Sequence, residues 1–173
     1  MLRLPEGSTV RGLTPDGSTL LLQITYRPGG EVRLLVVGEA QRSSCDSTGT
    51  TVAVALIKRM AHLDFVIEKG TEIGVAAWWA VVTEHCADAG LVRSYEHRLQ
   101  RWRRIAESAS IQSGRSSVPP VIGVLSLPEL FEASLGCGRR LVAVPGAAES
   151  MRTVARERSA STLFLVGPEG GWS

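Results

Sequence analysis

The stretch Leu163-Phe164-Leu165-Val166-Gly167-Pro168-Glu169-Gly170-Gly171-Trp172-Ser173 reads as a short buried strand running into a glycine loop. Glycine reaches positive φ and lacks the Cβ that would keep a ligand away from the backbone. Taken alone, a tight structural turn explains the loop about as well as a ligand cradle does. Its place directly after an apolar strand favours the cradle. The spacing is neither GxxxxGK(S/T) nor GxGxxG, so phosphate-loop and dinucleotide-loop readings do not apply. The sequence stops at Ser173, before the element that such a loop ordinarily launches.

Working back from that strand, the pattern from Thr51 onward alternates strands with helices. Thr51–Ile57 is a β-branched run, and Leu63, Val66, Ile67, Gly70 and Ile73 recur at helical spacing. Ala76–Val82 reads as a buried strand, followed by a long helix at 94–112 with Leu99, Trp102, Ile105, Ala106 and Ala109 on one face. Val121–Leu125 is a strand, and Ser126 caps a short helix with Pro128 in its first turn. Leu141–Val144 is a strand ending in Pro145-Gly146, Ala147–Arg156 reads as helical, and Thr162–Val166 is the last strand. This order predicts a mostly parallel sheet with helices on both faces. Ligands of such sheets sit at the carboxyl ends of the strands, where Val144-Pro145-Gly146 and the 167–171 loop both fall.

Residues 1–40 read differently, as short strands with turn signals at Pro15-Asp16-Gly17 and Pro28-Gly29-Gly30. Two or three strands alone are marginally stable, so this piece needs partners. Residues 41–50 are small and polar and read as a linker, leaving 51–173 as the α/β domain.

Composition narrows the chemistry. A hydrophobic share of 44% in 173 residues supports a real core and argues against wholesale disorder. The longest apolar run, Val75 to Val82, is too short to span a bilayer, and no secretory signal opens the chain. Cys45, Cys86 and Cys137 form no CxxC pair and read as reduced thiols of a cytoplasmic protein. His62, His85 and His97 have no metal-ligand spacing, so no metal is expected.

The net charge of +2 is small, but its distribution is uneven. Six arginines at 93, 98, 101, 103, 104 and 115 face only Glu96 and Glu107 between positions 93 and 115. Clustered arginine neutralises phosphates and stacks on bases, although a solvated helix face is the commoner meaning of a charge run. Trp102 lies in the apolar stripe and reads as core. Gly114 suits a helix C′ position, which leaves Arg115 at the rim, where it could hold a phosphate or carboxylate. Lys58 and Arg59 follow a strand's carboxyl end. Lys69 and Glu72 read as an ordinary surface pair.

Three segments then occur together: Lys69-Gly70-Thr71-Glu72-Ile73-Gly74-Val75, the Trp102 helix ending in Gln112-Ser113-Gly114-Arg115 with Val118-Pro119, and Val166 to Ser173. With them the chain resembles the ribosomal RNA small subunit methyltransferase E family, the 16S rRNA uracil-N3 methyltransferases. The resemblance covers nearly the whole chain and is strongest in residues 58–119 and 163–173. It implies a SPOUT-type α/β methyltransferase domain with a trefoil knot, preceded by a partial PUA-like β-barrel that helps hold RNA. It further implies S-adenosylmethionine as cofactor, 16S rRNA of the small ribosomal subunit as partner, and a homodimer.

By the same resemblance Gly167, Glu169, Gly170 and Gly171 match a cofactor loop of the knot. Val144, Pro145 and Gly146 fall where another cofactor-side loop is expected, and Arg115 is the candidate for substrate positioning or catalysis. Arg3, Lys58, Arg59, Arg98, Arg101 and Arg104 are the RNA-binding candidates. Methyl transfer would be an in-line attack of the uracil N3 on a sulfonium methyl group, accelerated by alignment, with Arg115 stabilising charge on the ring. No residue is assigned as general base. Family members continue past the glycine loop with a helix and a Leu-Gly-x-Arg-Ile-Leu-Arg-x-Glu-Thr-Ala motif, and begin with a further barrel strand; neither is in this sequence. The expectation is that this polypeptide alone binds S-adenosylmethionine weakly or not at all. Two other readings stand beside it: a catalytically inactive RNA-binding remnant, and a non-RNA α/β module.

Overall fold

The computed structural model describes residues 4–14, 19–39, 49–57, 60–83, 95–157 and 159–168. By internal packing the chain divides into two units, Met1–Cys45 with Gly114–Val118, and Asp46–Ser113 with Pro119–Ser173.

The first unit is an antiparallel meander of β1 (Thr9–Leu13), β2 (Thr19–Tyr26) and β3 (Val32–Glu39), in that order. Gly29 and Gly30 both adopt positive φ, 103° and 85°, at the β2–β3 turn. The turn is closed by the Arg27 amide donating to Glu31 O at 2.9 Å. Ile24 is buried, whereas the apolar side chains of β3 stay about half exposed.

The second unit is a five-stranded parallel sheet in the order β6-β5-β4-β8-β7. Its strands are β4 (Thr50–Ala55), β5 (Ala77–Val82), β6 (Val121–Ser126), β7 (Arg139–Ala143) and β8 (Thr162–Val166). Its helices are α1 (Met60–Glu72), α2 (Tyr95–Ser113), α3 (Leu127–Ala133) and the single turn α4 (Met151–Val154). The chain builds outward from β4 to β6 and then returns on the other side through β7 and β8. The strand order therefore reverses between β4 and β8, the kind of place where α/β sheets open a ligand crevice.

Strand residues alternate between two cores because successive side chains point to opposite faces. Val52, Val54, Leu56, Trp78, Ala80 and Val121 pack under α1 and α2 with Leu63, Ile67, Trp102 and Ala106. Ala53, Val81, Leu163 and Leu165 pack on the opposite face with Leu130 of α3. Both faces are covered, which is why the central strands read as continuous apolar runs.

Two helices differ from their sequence-based reading. In α1, Leu63 and Ile67 are buried as expected, but Val66 is 39% exposed and Ile73 85% exposed. The inward face continues through Gly70, as expected, and through Thr71 in place of Ile73, because Thr71 Oγ1 accepts a 3.0 Å hydrogen bond from the buried Trp78 indole Nε1. A hydroxyl satisfied by an indole occupies the place a periodic pattern assigns to an apolar residue. The expected helix at 147–156 shrinks to α4. Gly146 takes φ 76° and the Ala147 amide closes a turn on Val144 O at 3.2 Å. Ser150, whose Oγ accepts from the Thr153 amide, then resets the helix start.

At the start of α3, Ser126 and Glu129 form a reciprocal capping box. The Ser126 amide donates to Glu129 Oε2 at 2.8 Å. Hydrogen bonds from the Ser126 hydroxyl and then its amide hold the Glu129 carboxyl below its ordinary value of 4.5. A lowered carboxylate pKa stabilises the fold above the unfolded value, and that contribution disappears as pH falls through the folded one. The Ser126 amide resonance should therefore titrate with a midpoint below 4.5. A midpoint at or above that value would exclude the box in solution.

Candidate functional site

The site is built at the carboxyl ends of β7 and β8. These strands pair in parallel with Ala143 opposite Val166, so the loops that follow them leave the sheet side by side. One is Val144-Pro145-Gly146, turned by the positive φ of Gly146; the other begins with Gly167-Pro168. Together they rim an open groove of about 1010 Å³. Its floor is Leu141, Phe164 and Val166, and Met151 and Val154 of α4 form a wall. Apolar surface with backbone from two loops and two charged side chains, Arg140 and Glu149, suits a nucleoside-sized ligand. Of the residues expected here from sequence, Val144, Pro145, Gly146 and Gly167 come together. Glu169, Gly170 and Gly171 lie outside the described residues.

The arginines of α2 separate into different roles. Arg101 donates from Nε and Nη2 to Asp64 Oδ2 at 2.9 and 2.8 Å, a pairing that holds it more firmly in its charged form. Arg103 Nε reaches Val121 O at 3.3 Å. Arg98 is partly buried, and its Nη1 has no hydrogen-bond partner among the described residues. Arg104 is exposed and shares a shallow groove on the outer side of α2 with His97, Gln100 and Ser108. Among the RNA-binding candidates of the sequence, Arg104 thus has an open setting and Arg101 is engaged by a carboxylate. Arg3, Lys58 and Arg59 lie outside the described residues. Lys69 bridges Glu68 and Glu72, each at 2.8 Å, as an exposed surface cluster.

Gly114 has φ 71°, as a C′ glycine should, and ends α2. The connection carrying Arg115 leads into β6 through Pro120, whose O accepts from the Trp78 amide. Arg115 falls in the first unit and is not among the residues that line the groove.

Asp64 is the residue that sequence reading left without a role. Its Oδ1 accepts from Trp102 Nε1 at 3.0 Å while Oδ2 takes Arg101, so one carboxylate ties α1 to the buried ring of α2. No local spacing reveals a bond across 38 residues. Asp64→Ala is expected to cost about 2 kcal/mol, most of it from the stranded indole N–H, because the Arg101 pair is largely exposed and contributes little. Asp64→Asn retains an acceptor for Trp102 and should recover at least half of that loss in urea denaturation. Equal losses for both variants would contradict this assignment.

The geometry defines an α/β domain built on a parallel sheet, with a groove beside the point where the strand order reverses. The RNA methyltransferase domain model matches residues 45–173, and the chain belongs to that family. Among curated proteins, the ribosomal RNA small subunit methyltransferase E of Mycobacterium bovis is 36% identical over 126 residues, 70% of this chain and 47% of that protein. The protein of the same name from Synechocystis sp. is 28% identical over 177 aligned positions, 100% of this chain and 56% of that protein. The chain spans about half the length of the curated relatives it matches. The crystal structure of the ribosomal RNA small subunit methyltransferase E from Neisseria gonorrhoeae, bound to S-adenosyl methionine, aligns with a TM-score of 0.82. That alignment has 24% identity and covers 98% of this chain and 69% of that one. The resemblance drawn from the three sequence segments is upheld.

Proposed function

We propose that this chain carries the catalytic fold of an S-adenosylmethionine-dependent ribosomal RNA methyltransferase that modifies uracil N3 in 16S rRNA of the small subunit. The observation that carries the reading is the pair of loops after β7 and β8, set side by side over one groove within the matched domain. The names of the relatives support the substrate. In this reading 51–173 is a SPOUT-type domain whose glycine loop belongs to a trefoil knot, and 1–40 is a partial PUA-like barrel that adds RNA contacts. The working form is a cytoplasmic homodimer.

The groove fits the cofactor on its own terms. Phe164, Val166 and Leu141 offer apolar surface to a planar base, the 144–146 and 167–168 backbones offer polar groups, and Glu149 offers a carboxylate to hydroxyls or a cation. The open space at Gly146, where a Cβ would meet no atom within 4 Å, leaves room for close approach. When bound, the cofactor supplies an electrophilic methyl group. Arg104, with Arg98, Lys58, Arg59 and Arg3, neutralises RNA phosphates, so binding weakens steeply with salt. Arg115, outside the groove lining, is assigned to the uracil and not to the cofactor, orienting the ring and favouring its deprotonated form across the proposed homodimer.

The test is nuclear magnetic resonance titration of the 173-residue chain with S-adenosylmethionine. Saturable shifts confined to amides near 142–147 and 163–168 are expected, with a Kd as weak as about 1 mM. Saturable shifts centred elsewhere in the chain would sink the reading. Arg115→Ala should leave this titration unchanged and lower methyl transfer to small-subunit RNA at least about tenfold, measured as N3-methyluridine by mass spectrometry. A matching loss of cofactor affinity would remove Arg115 from the substrate side.

A further inference from the structure

We infer that Arg139 is a positioning residue that fixes the α4 wall of the groove, acting from the opposite end of β7; the inference rests on the groove being the cofactor site. α4 is one turn long, far below the length at which a helix persists by itself. The carbonyls at the end of any helix lack intrahelical donors. Ser150 serves the front of α4, and Arg139 serves its end. Arg139 Nη1 donates to Val154 O at 2.9 Å and to Glu157 O at 2.7 Å. Its Nη2 pairs with Glu157 Oε2 at 2.9 Å, and the Arg139 side chain is only 20% exposed.

This clamp reaches the groove through α4. Val154, whose carbonyl Arg139 holds, is buried, and with Met151 it stands over Leu141 and Phe164. The same four residues also border an adjoining hollow of about 730 Å³ on the Arg139 side. Arg139 lines that hollow and not the cofactor groove, so it cannot touch the ligand in the groove as a lining residue does. The wall is common to both spaces. Its position is set by whichever side holds it more firmly, and three hydrogen bonds and contacts of one guanidinium lie on the Arg139 side. A planar fork of donors makes this possible; a lysine ammonium is a point charge without the fork.

The experiment uses the full chain and the variants Arg139→Met, Arg139→Lys and Glu157→Gln, with S-adenosylhomocysteine as the titrated probe. For Arg139→Met, amide exchange of residues 151–157 should accelerate about tenfold while the amides of α1, β4 and β5 keep their wild-type protection. Its Kd for the probe should rise about fivefold, as expected for loss of one to two hydrogen bonds' worth of preorganisation. Arg139→Lys should fall between Met and wild type in both measurements. Glu157→Gln keeps both carbonyl bonds and should bind within about twofold of wild type. An unchanged Kd in Arg139→Met, or faster exchange throughout the sheet, overturns the inference and leaves the groove assignment intact. If the probe binds the wild-type chain but shifts amides away from 142–147 and 163–168, the groove assignment fails and this inference fails with it.

Discussion

Gly70→Val is expected to destabilise the parallel-sheet unit by about 3–4 kcal/mol, at the upper end of the cost of overpacking a core. A Cβ at position 70 would lie 2.4 Å from both Cη2 and Cζ2 of Trp78, and 3.3 Å from Val75 Cγ2. The indole has nowhere to go: it is 2% exposed, and its Nε1 is tethered to Thr71 Oγ1 at 3.0 Å. Swinging the ring would break that bond and strand the buried indole N–H, and shifting α1 would disturb Leu63 and Ile67. Against this stands a helix-propensity gain of only a few tenths of a kcal/mol, about 0.3, for replacing glycine by valine. Sterics win. Denaturant midpoints of wild type, Gly70→Val and Gly136→Ala measure it, position 136 being a control where a Cβ meets nothing within 4 Å. A Gly70→Val midpoint within error of wild type would show that the helix and ring adapt freely.

The Trp78 contact also shows why parts of the molecule were legible in the sequence and others were not. Alternation of β-branched strands with helices is a local pattern, and it predicted the parallel sheet, both helix-covered faces and the C′ role of Gly114. The loops after β7 and β8 were legible for the same reason, since each follows an apolar run and carries glycine. What failed depended on partners distant in sequence. Thr71 sits on the buried face of α1 with Trp78 supplying a donor to its hydroxyl, whereas apolar periodicity chose Ile73. The role of Asp64 exists only through residues 37 and 38 positions later. Arg101 looked like its neighbours in a basic run until that carboxylate claimed it. The 147–156 segment holds no glycine or proline, but a turn at Gly146 and a cap at Ser150 confined the helix to four of its residues.

Gly146→Val is expected to weaken cofactor binding at least about tenfold while sparing the fold. Gly146 sits at φ 76°, a region from which a β-branched residue is driven by its own Cβ. No neighbour would collide with the new side chain, since nothing lies within 4 Å of a Cβ there. The penalty is therefore one of backbone conformation, of order 1–3 kcal/mol, and the exposed loop can escape much of it by rotating to negative φ. That rotation opens the turn closed by the Ala147 amide on Val144 O and moves Pro145 away from the rim. The strand ends beneath stay paired, Ala143 with Val166, so the sheet should lose no more than about 1 kcal/mol in denaturant titration. Affinity for S-adenosylmethionine should fall by at least about tenfold, because a rim displaced by an ångström or two forfeits several polar contacts together. Gly146→Asn supplies the internal comparison, because asparagine tolerates the left-handed region and should keep most of the affinity. If Gly146→Val and wild type give the same localised amide shifts at the same ligand concentrations, the 144–146 turn is not part of the cofactor site.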